Sequence, residues 1–260
     1  MAKAADRAKR PARTSVWLEG KAPRNGAGRR SDQPSGLDRD RITEATVRLL
    51  DEEGLAKFSM RRLAADLNVT AMSVYWYVDT KDDLLELALD AAAGEMTLPD
   101  AESITPDRWR EVLRELAEEY RGLLVRHAWV SPLVGAYLNI GPNWLEFALT
   151  VQEVVRRTGL PAQKQAGAIA AVFQFVYGFG TVQGHYLARC AAAGMTPGEY
   201  FKEAMGVVRD HPEVEKTLHS ASDMMEARGG STVEEMWELD FKVALDLMVA
   251  GIEAMLEPGR

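Results

Sequence analysis

Cysteine is all but missing: Cys190 stands alone in 260 residues. An intramolecular disulfide is excluded, and a cytoplasmic protein is expected. A lone thiol without ligand-type spacing around it reads as a small buried hydrophobe. Histidine is scarce, with four residues and no HExxH pair. No GxSxG or Walker A sequence occurs. Gly178, Gly180 and Gly184 lack the spacing and the preceding strand of a dinucleotide fingerprint; Gly180 and Gly184 read instead as points of close helix approach. No metal, cofactor or catalytic constellation is expected. Alternation of apolar and polar residues never persists, which argues against a sheet. The first 36 residues contain no apolar run of a secretory leader. The charge-free stretch 166–184 holds Gln174, Gln183 and four glycines and runs into His185. It reads as a buried helix of a soluble core rather than a membrane span.

What is present favours helix. Ala, Leu, Glu and Arg dominate, 47% of residues are hydrophobic, and the expected fold class is all-α with a sizeable core. The net charge of −8 is unevenly spread. Residues 1–36 hold nine Lys/Arg against three Asp/Glu; residues 37–90 hold seven against twelve. The positive charge forms an N-terminal arm, expected to be disordered alone. Val16, Trp17 and Leu18 interrupt it as a short apolar cluster able to dock on the folded body.

Helix 1 is expected from about Asp38 to Glu53, burying Ile42, Ala45, Thr46, Leu49 and Leu50 and ending at Gly54. Ser59 caps a short helix containing Leu63, Ala64 and Leu67. Asn68 ends it in the left-handed region, and Thr70 caps a second short helix, 71–77. Thr80 with Asp83 forms a capping box for a helix from Lys81. Further on, Thr105-Pro106 starts a helix with the stripe Trp109, Val112, Leu113, Leu116, Tyr120, Leu123 and Leu124. Helices are expected over 129–139, 144–157 and 163–193, then after Thr196. A last one opens on a Ser231–Glu234 box and reaches Leu256.

Two short helices joined by a tight turn read as a helix-turn-helix, the second helix entering the DNA major groove. Tyr75, Trp76 and Tyr77 are consecutive, and successive helical positions point about 100° apart. They cannot all face one core, so at least one is exposed and needs a partner. Residues 37–96 also resemble the DNA-binding domain of tetracycline-repressor-like (TetR-like) transcriptional regulators. The resemblance lies in LDRDRI opening helix 1, EEGLAKFSMRRLAADLNV, and SVYWYV followed by TKDDLLELAL.

The resemblance implies an operator-binding homodimer with a basic arm (1–36), a helix-turn-helix domain (37–96) and a ligand-binding and dimerisation domain (97–260). It implies a repressor released by a small effector. An activator or ligand-independent regulator of the same fold is the first alternative, a helical enzyme or carrier the second. Arg61 would reach a base edge or phosphate and Lys81 would anchor a phosphate. Ser59, Thr70, Ala71, Met72, Ser73, Tyr75, Trp76 and Tyr77 complete the expected double-stranded DNA surface, with Arg29 and Arg30 of the arm. Ala71-Met72-Ser73 departs from the Gln-Pro-Thr of the family's type member. Ala and Met can meet thymine methyls but cannot hydrogen-bond adenine, so the operator should differ. Aromatic and polar residues mingle at Trp129, Asn139, Trp144, Phe147, Gln174 and Tyr177, the expected effector site. No histidine falls where the type member holds its drug-bound metal, so neither tetracycline nor magnesium is carried over. Ala168, Ala171 and Phe175, with Phe241, Leu245, Met248 and Ile252, form stripes suited to a four-helix dimer interface.

Overall fold

The computed structural model describes residues 15–18, 36–100, 103–209, 211, 213–214, 216 and 222–256; regular structure among these is helical throughout. The helices are α1 (Arg39–Glu53), α2 (Met60–Asp66), α3 (Ala71–Tyr75), α4 (Lys81–Ala93), α5 (Trp109–Arg126), α6 (Val130–Val134), α7 (Pro142–Arg157), α8 (Ala162–Ala193), α9 (Pro197–Arg209), α10 (Ser222–Arg228) and α11 (Val233–Ala254). The chain forms two compact units. One comprises Met1–Leu98 and Arg126–Thr150, the other Pro99–Val125 and Val151–Arg260.

In the first unit α1 packs chiefly on α4. Asp38 caps α1 by accepting the Arg41 N–H at 2.8 Å, and the expected stripe from Ile42 to Leu50 is buried. α4 opens on the Thr80–Asp83 capping box. Its buried surface includes Asp83, Glu86 and Asp90 among leucines and alanines. Buried carboxylates must be hydrogen-bonded. The Asp90 carboxylate accepts the Trp144 N–H at 3.1 Å and Asn143 Nδ2 at 3.0 Å, so it caps the start of α7 from outside the helix. Gly141 makes that approach possible: a Cβ there would lie 2.2 Å from Asp90 Oδ1. The Glu86 carboxylate accepts the Ser15 hydroxyl and, at 3.3 Å, the Val16 N–H. The Val16 cluster therefore docks, with Val16 buried and Leu18 exposed.

In the second unit α5 buries its whole expected stripe. The helix begins at Trp109 rather than Thr105, because residues 106–108 form a turn closed by Arg108 N–H to Thr105 O at 3.1 Å. Likewise α6 ends at Val134, short of the expected 139. α11 is capped by Thr232 accepting the Glu235 N–H; Ser231 instead donates its backbone N–H to the Glu235 carboxylate. Arg110, Arg114 and Arg121 of α5 pair with Glu253, Asp246 and Glu238 of α11, which makes the two helices antiparallel. By length and composition alone α8 would pass for a membrane span. One of its faces is core, with Ala168, Val172, Val176 and Gly180 buried. Gly184 lets it approach α5: a Cβ there would lie 2.5 Å from the Leu124 carbonyl oxygen.

Candidate functional site

The turn between α2 and α3 is built from local rules. Ser59 caps α2 by accepting the Arg62 N–H at 3.2 Å. Asn68 takes φ +54, and the Val69 N–H reaches back to the Ala64 carbonyl at 2.9 Å, closing the helix end. Thr70 caps α3 through the Ser73 N–H, and the Thr70 and Ser73 hydroxyls bond each other at 2.9 Å. Val74 is fully buried and fixes the rotation of α3. Met72, Tyr75 and Trp76 follow at i, i+3 and i+4 on the opposite side, with exposures of 68%, 42% and 56%. Adjacent exposed apolar side chains on one short helix mark a contact surface. Tyr77 turns inward and donates its hydroxyl to the Leu37 carbonyl at 2.6 Å. The half-buried phenol ties the start of α1 to the end of the helix-turn-helix.

Among the cations around this face, Arg62 is held by Glu53 at 2.6 Å and Arg48 by Asp66. Arg61 is exposed and makes no salt bridge among the described residues. Lys81 donates to the Phe58 carbonyl at 2.8 Å and lies 5.3 Å from the centre of the Phe58 ring, so its ammonium is oriented with protons to spare. Arg29 and Arg30 lie outside the described residues.

The expected effector residues are divided between the units. In the first, Trp129 donates its indole N–H to Asp51 at 2.6 Å and Trp144 donates to the Leu89 carbonyl at 3.1 Å. Phe147 packs edge-on to Trp144 at 6.0 Å. All three side chains are buried. Asn139 differs: it holds φ +51, and its side-chain oxygen is buried without a partner among the described residues. In the second unit Gln174 is exposed on α8 and lines an apolar groove with Phe175, Gly178, Phe179, Val182 and Trp237. Tyr177, also on α8, is half-buried.

Of the expected dimer stripes, Ala171 is exposed and Phe175 and Met248 are half-buried. Ala168, Phe241, Leu245 and Ile252 are buried within the subunit, and Phe175 stacks on Phe241 at 5.6 Å. The free faces are Gly167, Ala171, Gln174, Gly178 and Val182 on α8, and Leu239, Val243, Leu247, Ala250 and Ala254 on α11. Both helices are apolar on two sides, so periodicity gave the stripes but not their neighbours.

One cluster escaped the sequence reading. His127 is buried, with Nδ1 2.7 Å from Asp51 and Nε2 2.9 Å from Glu95; Arg126 stands 3.7 Å from Glu95. Burial lowers the imidazole pKa, but the hydrogen bonds and charges of Asp51 and Glu95 outweigh it and hold it above the ordinary value. The available signal was a lone histidine amid LLVRHAWV, a polar group that an apolar context must partner.

Two family models match the chain: "Bacterial regulatory proteins, tetR family" over residues 42–88, and "Tetracyclin repressor-like, C-terminal domain" over residues 98–256. The chain is similar to an HTH-type transcriptional regulator of Saccharopolyspora erythraea, 39% identical over 55% of this chain and 59% of the relative. It thus spans under two thirds of that protein. The HTH-type transcriptional repressor DrrR1 of Streptomyces coeruleorubidus is 30% identical over 79% of this chain and 71% of its own length. Among solved structures, the TetR family protein ActR of Streptomyces coelicolor, in complex with actinorhodin, superposes with a TM-score of 0.66 at 25% identity. That match covers 85% of this chain and 97% of ActR.

Proposed function

The chain belongs to the tetR family of bacterial regulatory proteins, and from that premise we propose that it is a cytoplasmic homodimeric repressor. It binds a near-palindromic operator and is released by a small hydrophobic or aromatic effector. The observation that carries this reading is the exposed face of Met72, Tyr75 and Trp76 on a helix locked in place by Val74. Arg61 and Lys81 supply charge near it. Base contacts come from the start of α3 and phosphate contacts from Lys81, Tyr75 and Trp76. The free apolar faces of α8 and α11 meet those of a second copy, whose two-fold axis requires inverted symmetry in the DNA.

Release by ligand is a population shift: the effector binds better to a conformer whose recognition helices no longer match adjacent grooves, and DNA affinity falls by the same factor. The unpartnered Asn139 oxygen supports a polar ligand contact in the first unit. The structure of ActR with actinorhodin supports a small-molecule effector. The test is selection of bound fragments from random DNA, followed by mobility shifts with and without candidate aromatic compounds. Enrichment of an inverted repeat is expected. Failure to enrich any sequence would sink the DNA-binding reading, and a site without inverted symmetry would sink the dimer.

A further inference from the structure

We propose that α3 reads its half-site through thymine methyl groups, with Met72 as the residue that selects them; the proposal rests on the DNA-binding reading above. From Val69 to Tyr77 the chain has no amide, guanidinium, ammonium, imidazole or carboxylate side chain. The bidentate pairs that recognise adenine through Asn or Gln, and guanine through Arg or Lys, are therefore unavailable to this helix. Its polar groups near the N-terminus are two hydroxyls, and they face each other: Thr70 Oγ1 and Ser73 Oγ are 2.9 Å apart, and Thr70 also caps the Ser73 N–H. One hydroxyl proton is committed to that pair. Met72, by contrast, is the most exposed apolar side chain of the DNA-binding helices. It occupies the second position of α3, at the end where such helices meet base edges. Val74, buried one turn-face away, prevents α3 from rotating Met72 into the core.

The major groove offers one apolar group, the C5 methyl of thymine. A thioether side chain with three rotatable bonds can settle over such a methyl, and Ala71 beside it adds a second small apolar contact. The hydroxyl of Tyr75 and the indole N–H of Trp76, further along the same face, suit phosphate rather than bases. Arg61, on α2, remains the nearby side chain able to pair bidentately. The half-site therefore contains a thymine under Met72, and its methyl contributes to affinity.

The experiment uses full-length protein and the operator obtained by selection. Each thymine is replaced in turn by deoxyuridine, which removes the methyl and leaves every hydrogen-bonding group. Burying one methyl corresponds to about fourfold in affinity, and to about fifteenfold when both half-sites are changed. One symmetric thymine pair is expected to show that loss. Placing 5-methylcytosine opposite guanine at that pair restores the methyl and should recover more affinity than unmodified cytosine. Met72→Ala should bind the thymine and deoxyuridine operators equally. If no deoxyuridine weakens the wild-type protein, or if Met72→Ala keeps the same discrimination, the proposal is overturned while DNA binding stands. If no sequence is selected at all, the DNA-binding reading fails instead.

Discussion

His127 places both ring nitrogens against carboxylate oxygens, and an ionised carboxylate only accepts. Neutral imidazole has a single N–H, so the geometry calls for the imidazolium. Its pKa is raised in the folded state. The stability it adds is therefore complete below about pH 6.5, the unperturbed value, and is lost as pH rises through the higher folded value. Denaturant unfolding from pH 6 to 9 should show wild type losing stability relative to His127→Gln; parallel curves would disprove it. At neutral pH the substitution should cost about 1–2 kcal/mol, since Asp51 and Glu95 are partly solvated. Lys81 presents a second residue-scale case. Its bond to the Phe58 carbonyl predicts that Lys81→Ala lowers thermal stability as well as DNA affinity. A loss confined to DNA affinity would make that bond incidental.

At the scale of helices, close packing and free faces make opposite demands on small residues. Gly184→Ala would drive a methyl into the Leu124 carbonyl, and about 1–3 kcal/mol of destabilisation is expected. Gly206→Ala meets nothing within 4 Å and should stabilise α9 by about 0.5–1 kcal/mol. Chemical denaturation of the two variants checks the contrast; equal effects would refute the packing argument. On α8 and α11, Val182→Glu and Leu247→Glu place charge on exposed apolar faces rather than in the core. Each should leave the subunit folded and give a monomer in sedimentation. Phe241→Ala, by contrast, removes a core ring and should unfold the second unit, whatever the oligomeric state.

For the molecule as a whole, a net charge of −8 requires that attraction to DNA be local. The basic arm is the largest reserve of positive charge. Deleting it would also remove Ser15 and Val16 from their place on Glu86, so neutralising Arg24, Arg29 and Arg30 to Gln is the cleaner test. Each phosphate contact contributes about 0.9 to the slope of log affinity against log salt, so two per subunit would change a dimer's slope by about 3.6. An unchanged slope would show that the arm does not touch the duplex.

The sequence alone determined what local chemistry decides. Caps at Ser59, Thr70 and Thr80, and the left-handed Asn68, are choices made within five residues of backbone. Their side chains bond the nearest free N–H in almost any context, so the helix-turn-helix was legible. So was the exposure of part of the Tyr75-Trp76-Tyr77 run, because no helix can bury three consecutive positions on one side. Which of them would be anchored by a hydrogen bond was not legible, since the Tyr77 hydroxyl finds its partner in the Leu37 carbonyl forty residues away. The same holds for the free sides of α8 and α11, for the groups that bond the Trp129 and Trp144 indoles, and for the carboxylates that hold Ser15, His127 and the start of α7. Each is settled by a partner remote in sequence, and only the tertiary structure brings such partners into hydrogen-bond reach, about 3 Å, or into packing contact.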